Sequence, residues 1–316
     1  MKITVADNSG VCFGVRRAFS LLEEAVENAK KSGTKVFMLG PLIHNPRVIA
    51  QYAGKGVDVI DIDSIQENSC VVIRSHGITK DEQALLDRFS GITLVDTTCP
   101  YVQRIHQLVE KRSEEGFAVL IMGDREHSEV RGITSKITGD FFVIHPTEFE
   151  SKSEELSGFI KAHARIFAVA QTTSRPANYD FLLKKVRKVV GTMPGHRFIA
   201  AETICTATLK RQDSAGELAK KTGSMVVIGG RNSSNTSKLF QVVSEKNKNS
   251  FWVESPEDFS ASDIEILKNS ESVGITAGAS TPDEQIEEMK SFLGSLNGQN
   301  RQYRGKSSRQ NLKTCP

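Results

Sequence analysis

A chain of 316 residues at 38% hydrophobic content is long enough to bury several domain-sized cores. Its net charge of +3 is concentrated in segment 297–316, where Arg301, Arg304, Lys306, Arg309 and Lys313 stand without an acid; the remainder is slightly acidic, which argues against a nucleic-acid-binding body and makes the terminus a basic, disordered tail. No run approaches the roughly 20 apolar residues that span a bilayer, MKITVADNSG has no signal-peptide hydrophobic region, and five scattered cysteines make no disulfide framework, so a reducing cytoplasm is the expected compartment.

In chain order, one pattern of elements occurs three times. An apolar run (KITVAD, ITLVDTT, RFIAAETI) leads to a cysteine, Cys12, Cys99 or Cys205, and a helix-like segment then ends near a glycine, Gly33, Gly116 or Gly223. A continuous apolar strand follows and closes at a second glycine: VFMLG at Gly40, AVLIMG at Gly123, MVVIG at Gly229. Runs without polar alternation read as parallel strands buried on both faces. Four residues past each of these glycines stands His44, His127 or Ser233. A further strand (VVIRS, IFAVAQ, SVGITAG) ends in a polar cluster expected to open a helix, at His76-Gly77, Thr172-Thr173-Ser174 and Ser280-Thr281-Pro282.

A threefold internal repeat means that one supersecondary unit was used three times. The expected fold is α/β, three similar α/β domains with mostly parallel sheets. They divide at residues 1–98, 99–204 and 205–296, with 297–316 as the tail and residues 1–12 able to complete the third domain. Open α/β sheets bind ligands at the carboxyl ends of their strands, where each repeat places a cysteine and two polar groups.

Thiolate sulfur selects zinc, copper(I) or iron–sulfur clusters. Structural zinc sites use close pairs such as C-x-x-C, whereas these cysteines are about one domain apart, as for a ligand held at a junction of three units. Each lies near an expected helix amino terminus, where the dipole favours the thiolate. Cys70, inside SCVVIRS, and Cys315, in the tail, break the register and read as packing and an incidental thiol. His44, His76 and His127, with Ser233, Ser234, Asn235 and Ser280, are hydrogen-bond donors beside glycines and helix starts, a set suited to a phosphate or diphosphate. Glu129, two residues past His127, disfavours an anion unless it is protonated or transfers protons. His106, His145, His163 and His196 lie outside the pattern and read as structural.

Taken together and in order, GVCFGVRRA, GPLIHNPRV, VVIRSHG, VDTTCPYV, REHSEVRG, AQTTSR, ICTAT, GGRNSSNTSKL and GITAGASTP resemble the 4-hydroxy-3-methylbut-2-enyl diphosphate reductases, the LytB/IspH family, from about residue 10 to residue 283. The resemblance implies a pseudo-threefold trefoil around a central [4Fe–4S] cluster on Cys12, Cys99 and Cys205, one iron of which has no protein ligand. It implies Glu129 and Thr172 as the proton-transfer pair. His44, His76, His127, Thr172, Ser233, Ser234, Asn235 and Ser280 are implied as ligands of the allylic diphosphate, with Thr208 lining the pocket and a ferredoxin or flavodoxin as electron donor. The implied reaction is reductive dehydroxylation to isopentenyl and dimethylallyl diphosphates, the last step of the methylerythritol phosphate pathway. Two positions depart from the family pattern. Thr206 stands where an aromatic residue is common, and GDREHSEV stands where GHxxHPEV is usual.

Two other classes use part of these features. An iron–sulfur sensor or scaffold needs the cysteines but neither Glu129 nor a diphosphate cradle, and a redox-inactive phosphate-binding protein needs only the cradle.

Overall fold

The computed structural model describes residues 1–304, with side chains through residue 296. The chain opens with β1 (Lys2–Val5), α1 (Phe13–Ser32), β2 (Val36–Leu39), α2 (Pro46–Ala53), β3 (Asp58–Ile60), β4 (Cys70–Ile73), α3 (Lys80–Leu86) and β5 (Thr93–Asp96). It continues through α4 (Pro100–Glu114), β6 (Ala118–Met122), α5 (Ser128–Ser135), β7 (Phe141–Ile144), α6 (Ser153–Ala162), β8 (Arg165–Ala170), α7 (Pro176–Val190) and β9 (Arg197–Ala200). It closes with α8 (Thr206–Ala219), β10 (Ser224–Ile228), α9 (Ser234–Ser244), β11 (Ser250–Val253), α10 (Ala261–Asn269), β12 (Ser272–Ala277) and α11 (Asp283–Arg304). Residues 297–304 of the tail expected to be disordered continue α11 instead, and residues 305–316, Cys315 among them, lie outside the described residues.

Three four-stranded parallel sheets share one strand order: β3-β2-β4-β5, β7-β6-β8-β9 and β11-β10-β12-β1. Each sheet therefore ends on the strand that feeds a cysteine: β5 precedes Cys99, β9 precedes Cys205, and β1 precedes Cys12. By register, β1 belongs with the last strands of the chain, Lys2 opposite Ser272 through Val5 opposite Ile275. The described residues pack as two compact units. The larger, Cys12–Leu209, holds the first two sheets; the smaller, Met1–Val11 with the chain from Lys210 onward, holds the third.

The central strands β2, β4, β6 and β10 are buried along their whole length, as expected of apolar runs covered by helices on both faces. In the larger unit, Leu120, Met122, Ala168 and Leu182 fill one face of the second sheet, and Val119, Ile121, Phe167 and Val130 fill the other. In the smaller unit Val226, Ile228 and Ile275 pack against Met289 and Leu293 of α11, while Met225 and Val227 pack under α8 and α9 with Ala215, Leu239 and Val243. Helix α1 follows directly from its sequence. Val15, Ala18, Leu22, Ala25, Val26 and Ala29 recur at helical spacing on its buried face, and Gly33 ends it at a φ of 71°.

One helix starts later than its sequence suggests. The cluster at His76-Gly77 does not open α3; Gly77, at a φ of 76°, turns the chain, and Thr79 caps the helix in a reciprocal box with Glu82. The delay leaves His76 on a loop at the carboxyl end of β4.

Candidate functional site

In the first two sheets the chain leaves one central strand toward one edge and the other central strand toward the opposite edge; in the third, β10 leads to the edge strand β11 and the opposite edge is β1 from the start of the chain. The crevice beyond the carboxyl ends of that strand pair is where open α/β sheets bind ligands. His44 follows β2 and His76 follows β4; His127 follows β6 and Thr172 follows β8; Ser233 follows β10 and Ser280 follows β12. The repeat register thus places both polar groups of each repeat at the carboxyl ends of the central strand pair.

Within the larger unit the three histidines meet. Ring centroids are 4.6 Å apart for His44 and His76, 5.3 Å for His44 and His127, and 5.1 Å for His76 and His127. Burial, then the Arg74 guanidinium, holds the His44 pKa below its ordinary value. His76 is held well below, by burial and then by the charges of His44, His127 and Arg74. Both rings are therefore neutral near pH 7 and act through directed N–H groups rather than as fixed cations. The three sets of donor atoms lie within 4.8 Å of one another, a spacing that suits a metal ion as well as an anion. His127 decides between them. Its Nδ1 accepts from the Glu129 backbone N–H at 3.1 Å, so the neutral ring carries its proton on Nε2. A protonated Nε2 donates to an anion and cannot ligate a cation.

Glu129 is 1% exposed, and both carboxyl oxygens face Thr172. Oε1 accepts from the Thr172 backbone N–H at 2.6 Å and Oε2 from its hydroxyl at 2.7 Å. Burial pushes the pKa up to about 7, against the lowering effect of those two bonds. A carboxyl balanced between its two states near neutrality, hydrogen-bonded to a hydroxyl, is equipped to pass a proton through that hydroxyl.

Cys12 and Cys99 are the N-cap residues of α1 and α4, and Cys205 immediately precedes α8. The loops that carry them are tied to the strand ends: the Cys99 N–H donates to Ser75 O at 2.9 Å and the Cys205 N–H to Thr172 O at 3.1 Å. Thr208 donates its backbone N–H to Cys205 Sγ at 3.4 Å and holds its hydroxyl 3.0 Å from the same sulfur. The helix ends do not win the expected thiolates on their own. Burial pushes Cys99 up to about 11 and raises Cys205; backbone N–H groups oppose this for Cys99, and for Cys205 Thr208 does so. The charge of Cys12 raises both, that of Cys205 raises Cys99, and that of Glu129 raises Cys205. Two desolvated thiols, Cys99 and Cys205, whose ionisation the charge of Cys12 further disfavours, are the donors that a cationic metal centre relieves, because a coordinating thiol is deprotonated by its metal. The residues present fit an iron–sulfur cluster.

Gly14, which sequence reasoning passed over, lies against the cysteines. A Cβ placed there would stand 2.6 Å from Cys99 Sγ and 3.9 Å from Cys12 Sγ. Gly14→Ala is expected to displace the Cys99 thiol and leave the purified protein with a minor fraction of wild-type iron, read by iron assay and visible absorption. Asp96 also escaped notice. Its Oδ1 accepts from the Thr98 N–H at 2.8 Å and hydroxyl at 2.5 Å, which shapes the approach to Cys99.

In the smaller unit Ser233 caps α9, accepting from Thr236 N at 3.2 Å, with Ser234 the first residue of the helix. Asn235 Oδ1 accepts from Ala279 N at 3.0 Å, which ties the start of α9 to the turn that carries Ser280. Gly229 and Gly278 admit the close approach of Thr236. The four predicted residues Ser233, Ser234, Asn235 and Ser280 thus meet at the ends of β10 and β12.

Cys70 lies in β4, buried, with its thiol pKa raised by burial. Cys70→Ala is expected to retain full iron while losing about 1 kcal/mol of stability, read by iron assay and denaturant unfolding. His145 caps a short turn at Thr147, and His163 bridges Phe159 O and Asp140. His106, read as structural, packs its ring against Gly77 and Gly132, behind the His76 turn.

Residues 3–294 match the LytB protein family. The 4-hydroxy-3-methylbut-2-enyl diphosphate reductases of Thermoanaerobacter sp. (strain X514) and Clostridioides difficile (strain 630) are 38% and 37% identical to this chain. The first alignment covers 95% of this chain and 99% of the relative, the second 94% and 100%. A solved structure of (E)-4-hydroxy-3-methyl-but-2-enyl diphosphate reductase, the terminal enzyme of the non-mevalonate pathway, aligns with a TM-score of 0.65 at 34% identity. It covers 93% of this chain and 100% of that one. The Plasmodium falciparum E-1-hydroxy-2-methyl-but-2-enyl-4-diphosphate reductase shares the fold, with a TM-score of 0.80 at 23% identity over 92% of this chain and 87% of that one. With three repeats of one sheet order, each cysteine fed by a sheet-edge strand, this chain belongs to the LytB family of 4-hydroxy-3-methylbut-2-enyl diphosphate reductases.

Proposed function

We propose that the chain reduces 4-hydroxy-3-methylbut-2-enyl diphosphate at a [4Fe–4S] cluster held by Cys12, Cys99 and Cys205, with one iron left without a protein ligand. Two electrons and two protons remove the hydroxyl as water and leave isopentenyl or dimethylallyl diphosphate. The observation that carries this reading is the buried Glu129–Thr172 pair, which shares one compact unit with the three repeated cysteines and with His44, His76 and His127. A sensor or a binding protein has no use for a buried carboxyl whose pKa is raised to about 7.

When bound, the cluster supplies a Lewis-acidic iron and the electrons; the chain supplies the rest. His127 donates from Nε2, and His44 and His76 offer N–H groups from neutral rings, so the diphosphate is held by directed donors. Its negative charge in turn favours protonation of these rings. Ser233, Ser234, Asn235 and Ser280 are proposed as further diphosphate ligands, as the family resemblance implies, with Thr208 at the pocket wall beside Cys205. With Glu129 ionised, the Thr172 hydroxyl donates inward to Oε2. Once Oε2 is protonated that bond can reverse, and Thr172 can donate outward to substrate. Glu129 thus stores the proton and Thr172 delivers it.

The reductant is proposed to be a small low-potential protein of the ferredoxin or flavodoxin kind, and the compartment cytoplasmic. Among the described residues no helix is long and apolar enough to cross a membrane. The test is anaerobic purification followed by addition of the allylic diphosphate with a low-potential chemical reductant. The expected result is a brown protein with about four irons that yields both five-carbon diphosphates. A protein that cannot be loaded with iron, or that carries iron and leaves the substrate intact, contradicts the proposal.

A further inference from the structure

Each helix that follows a cysteine carries an arginine at nearly the same offset. Arg17 stands five residues after Cys12, Arg104 five after Cys99 and Arg211 six after Cys205. In two of the three repeats that arginine reaches the chain just ahead of another cysteine. In the larger unit Arg17 Nη1 donates to Thr98 O at 3.3 Å, and Thr98 is the residue before Cys99. In the smaller unit Arg211, 3% exposed, donates from Nη2 to Gly10 O at 2.6 Å, two residues before Cys12. Arg104 is exposed; it lines a groove with Glu202, Thr203 and Ile204, just ahead of Cys205, and makes no hydrogen bond to them. The Arg17 bond joins two elements that each carry a cysteine. Helix α1 has Cys12 as its N-cap, and Arg17 lies about 7.5 Å farther along the same helix. The Cys99 loop is tied to the ends of β4 and β5, through the Cys99 N–H on Ser75 O and Thr98 on Asp96. Neither of those bonds reaches α1. Where the loop meets α1, Gly14 has no side chain to grip it, and Cys99 Sγ rests there. Among the described residues, the bond from Arg17 to Thr98 is the one hydrogen bond between α1 and residues 96–99. Its donor is half-buried and always charged, which favours a strong and permanent tie.

We propose that Arg17 is a positioning residue for the metal centre: it locks the Cys99 loop to the Cys12 helix and so fixes the separation of two ligand sulfurs. The inference rests on the cluster reading of the three cysteines and extends it to a residue that this reading does not use. Ligands of a metal site must be held to within about half an ångström by the residues around them. A Cys99 loop released from α1 samples positions in which its sulfur has left the metal, and the cluster is then lost more readily. Arg211 applies the same device to the loop that leads into Cys12.

The experiment uses the anaerobically purified, iron-loaded full chain. Decay of visible absorption under an excess of a ferrous chelator is followed in wild type, Arg17→Gln, Arg17→Lys, Arg16→Gln and Cys70→Ala. Circular dichroism and the denaturant midpoint are recorded on the same samples. The expected result is cluster loss about 10-fold faster in Arg17→Gln, the worth of one hydrogen bond from a charged donor. Arg17→Lys keeps the charge and one donor without the fork, and should fall between, at about threefold. Arg16→Gln removes an exposed charge from the same helix and should decay at the wild-type rate. Cys70→Ala, destabilised outside the repeat register, should do the same. Wild type that holds no cluster overturns the cluster reading, and this inference with it. Wild type that holds one, with Arg17→Gln equal to it, overturns the Arg17 assignment alone. Equal acceleration in Cys70→Ala or Arg16→Gln reduces the effect to stability or net charge and also overturns the proposal. If Arg17→Gln does not fold, Arg17→Lys decides, and a wild-type rate in that variant overturns the assignment.

Discussion

Cys99→Ser is expected to abolish bound iron and turnover together while leaving the fold intact. Cys99 is the N-cap of α4 and makes no side-chain cap bond, whereas serine is among the preferred N-cap residues. The substitution should therefore preserve or slightly strengthen the helix, and circular dichroism and the unfolding midpoint should stay at wild-type values. Chemically the change is severe. A serine hydroxyl does not ionise to replace a thiolate, and the other two sulfurs are left in a desolvated site with nothing to hold a cluster between them. Iron and sulfide assays should fall to background, with loss of visible absorption. Cys70→Ala serves as the paired control, because it changes a cysteine outside the repeat register. Wild-type iron in Cys99→Ser would show that the three repeated cysteines are not a ligand set.

Glu129→Gln is expected to lower kcat by roughly 10²–10⁴ with the cluster retained and KM little changed. The glutamine side chain keeps the shape and can still receive the Thr172 backbone N–H, but it has no proton to transfer. The pH profile gives a second readout. Burial raises the Glu129 pKa to about 7, and the protonated carboxyl is the donor. In wild type kcat should be level at acidic pH and should fall as pH rises through about 7, by about tenfold per pH unit above it. That limb should be missing from Glu129→Gln. A variant with wild-type kcat, or one that retains the same alkaline limb, would remove Glu129 from proton transfer.

The sequence makes the three repeats and their ligand ends legible because both have local signatures. Short apolar runs such as AVLIM and MVVI, each closed by a glycine, read as strands buried on both faces, and glycines such as Gly33 and Gly116 adopt left-handed φ values after helices. Offsets measured from the strand-closing glycines Gly40, Gly123 and Gly229 place His44, His127 and Ser233 at the carboxyl ends of strands without any structure. Other features are legible only in three dimensions. Nothing near Gly14 in sequence announces that Cys99 lies against it, since that contact joins residues 85 positions apart. The helix ends read as favouring thiolates, yet burial outweighs them, because desolvation depends on everything packed around Cys99 and Cys205. The tautomer of His127 follows from one backbone N–H, and a cavity beside His44 and His76 follows from Arg74, just past β4, meeting Ser128 and Arg131 of α5. His106 reads as structural on sequence, but which turn it packs behind, that of His76, is visible only in the fold.

The most direct test is a Mössbauer spectrum of the ⁵⁷Fe-loaded chain, recorded without oxygen before and after addition of the allylic diphosphate. The account predicts about four irons per chain, with one quarter of the signal distinct at the start and that quarter alone shifting when the substrate is added. Four equivalent irons that do not respond to the substrate, or a chain that holds no iron, would contradict a three-cysteine cluster with one iron open to the diphosphate alcohol.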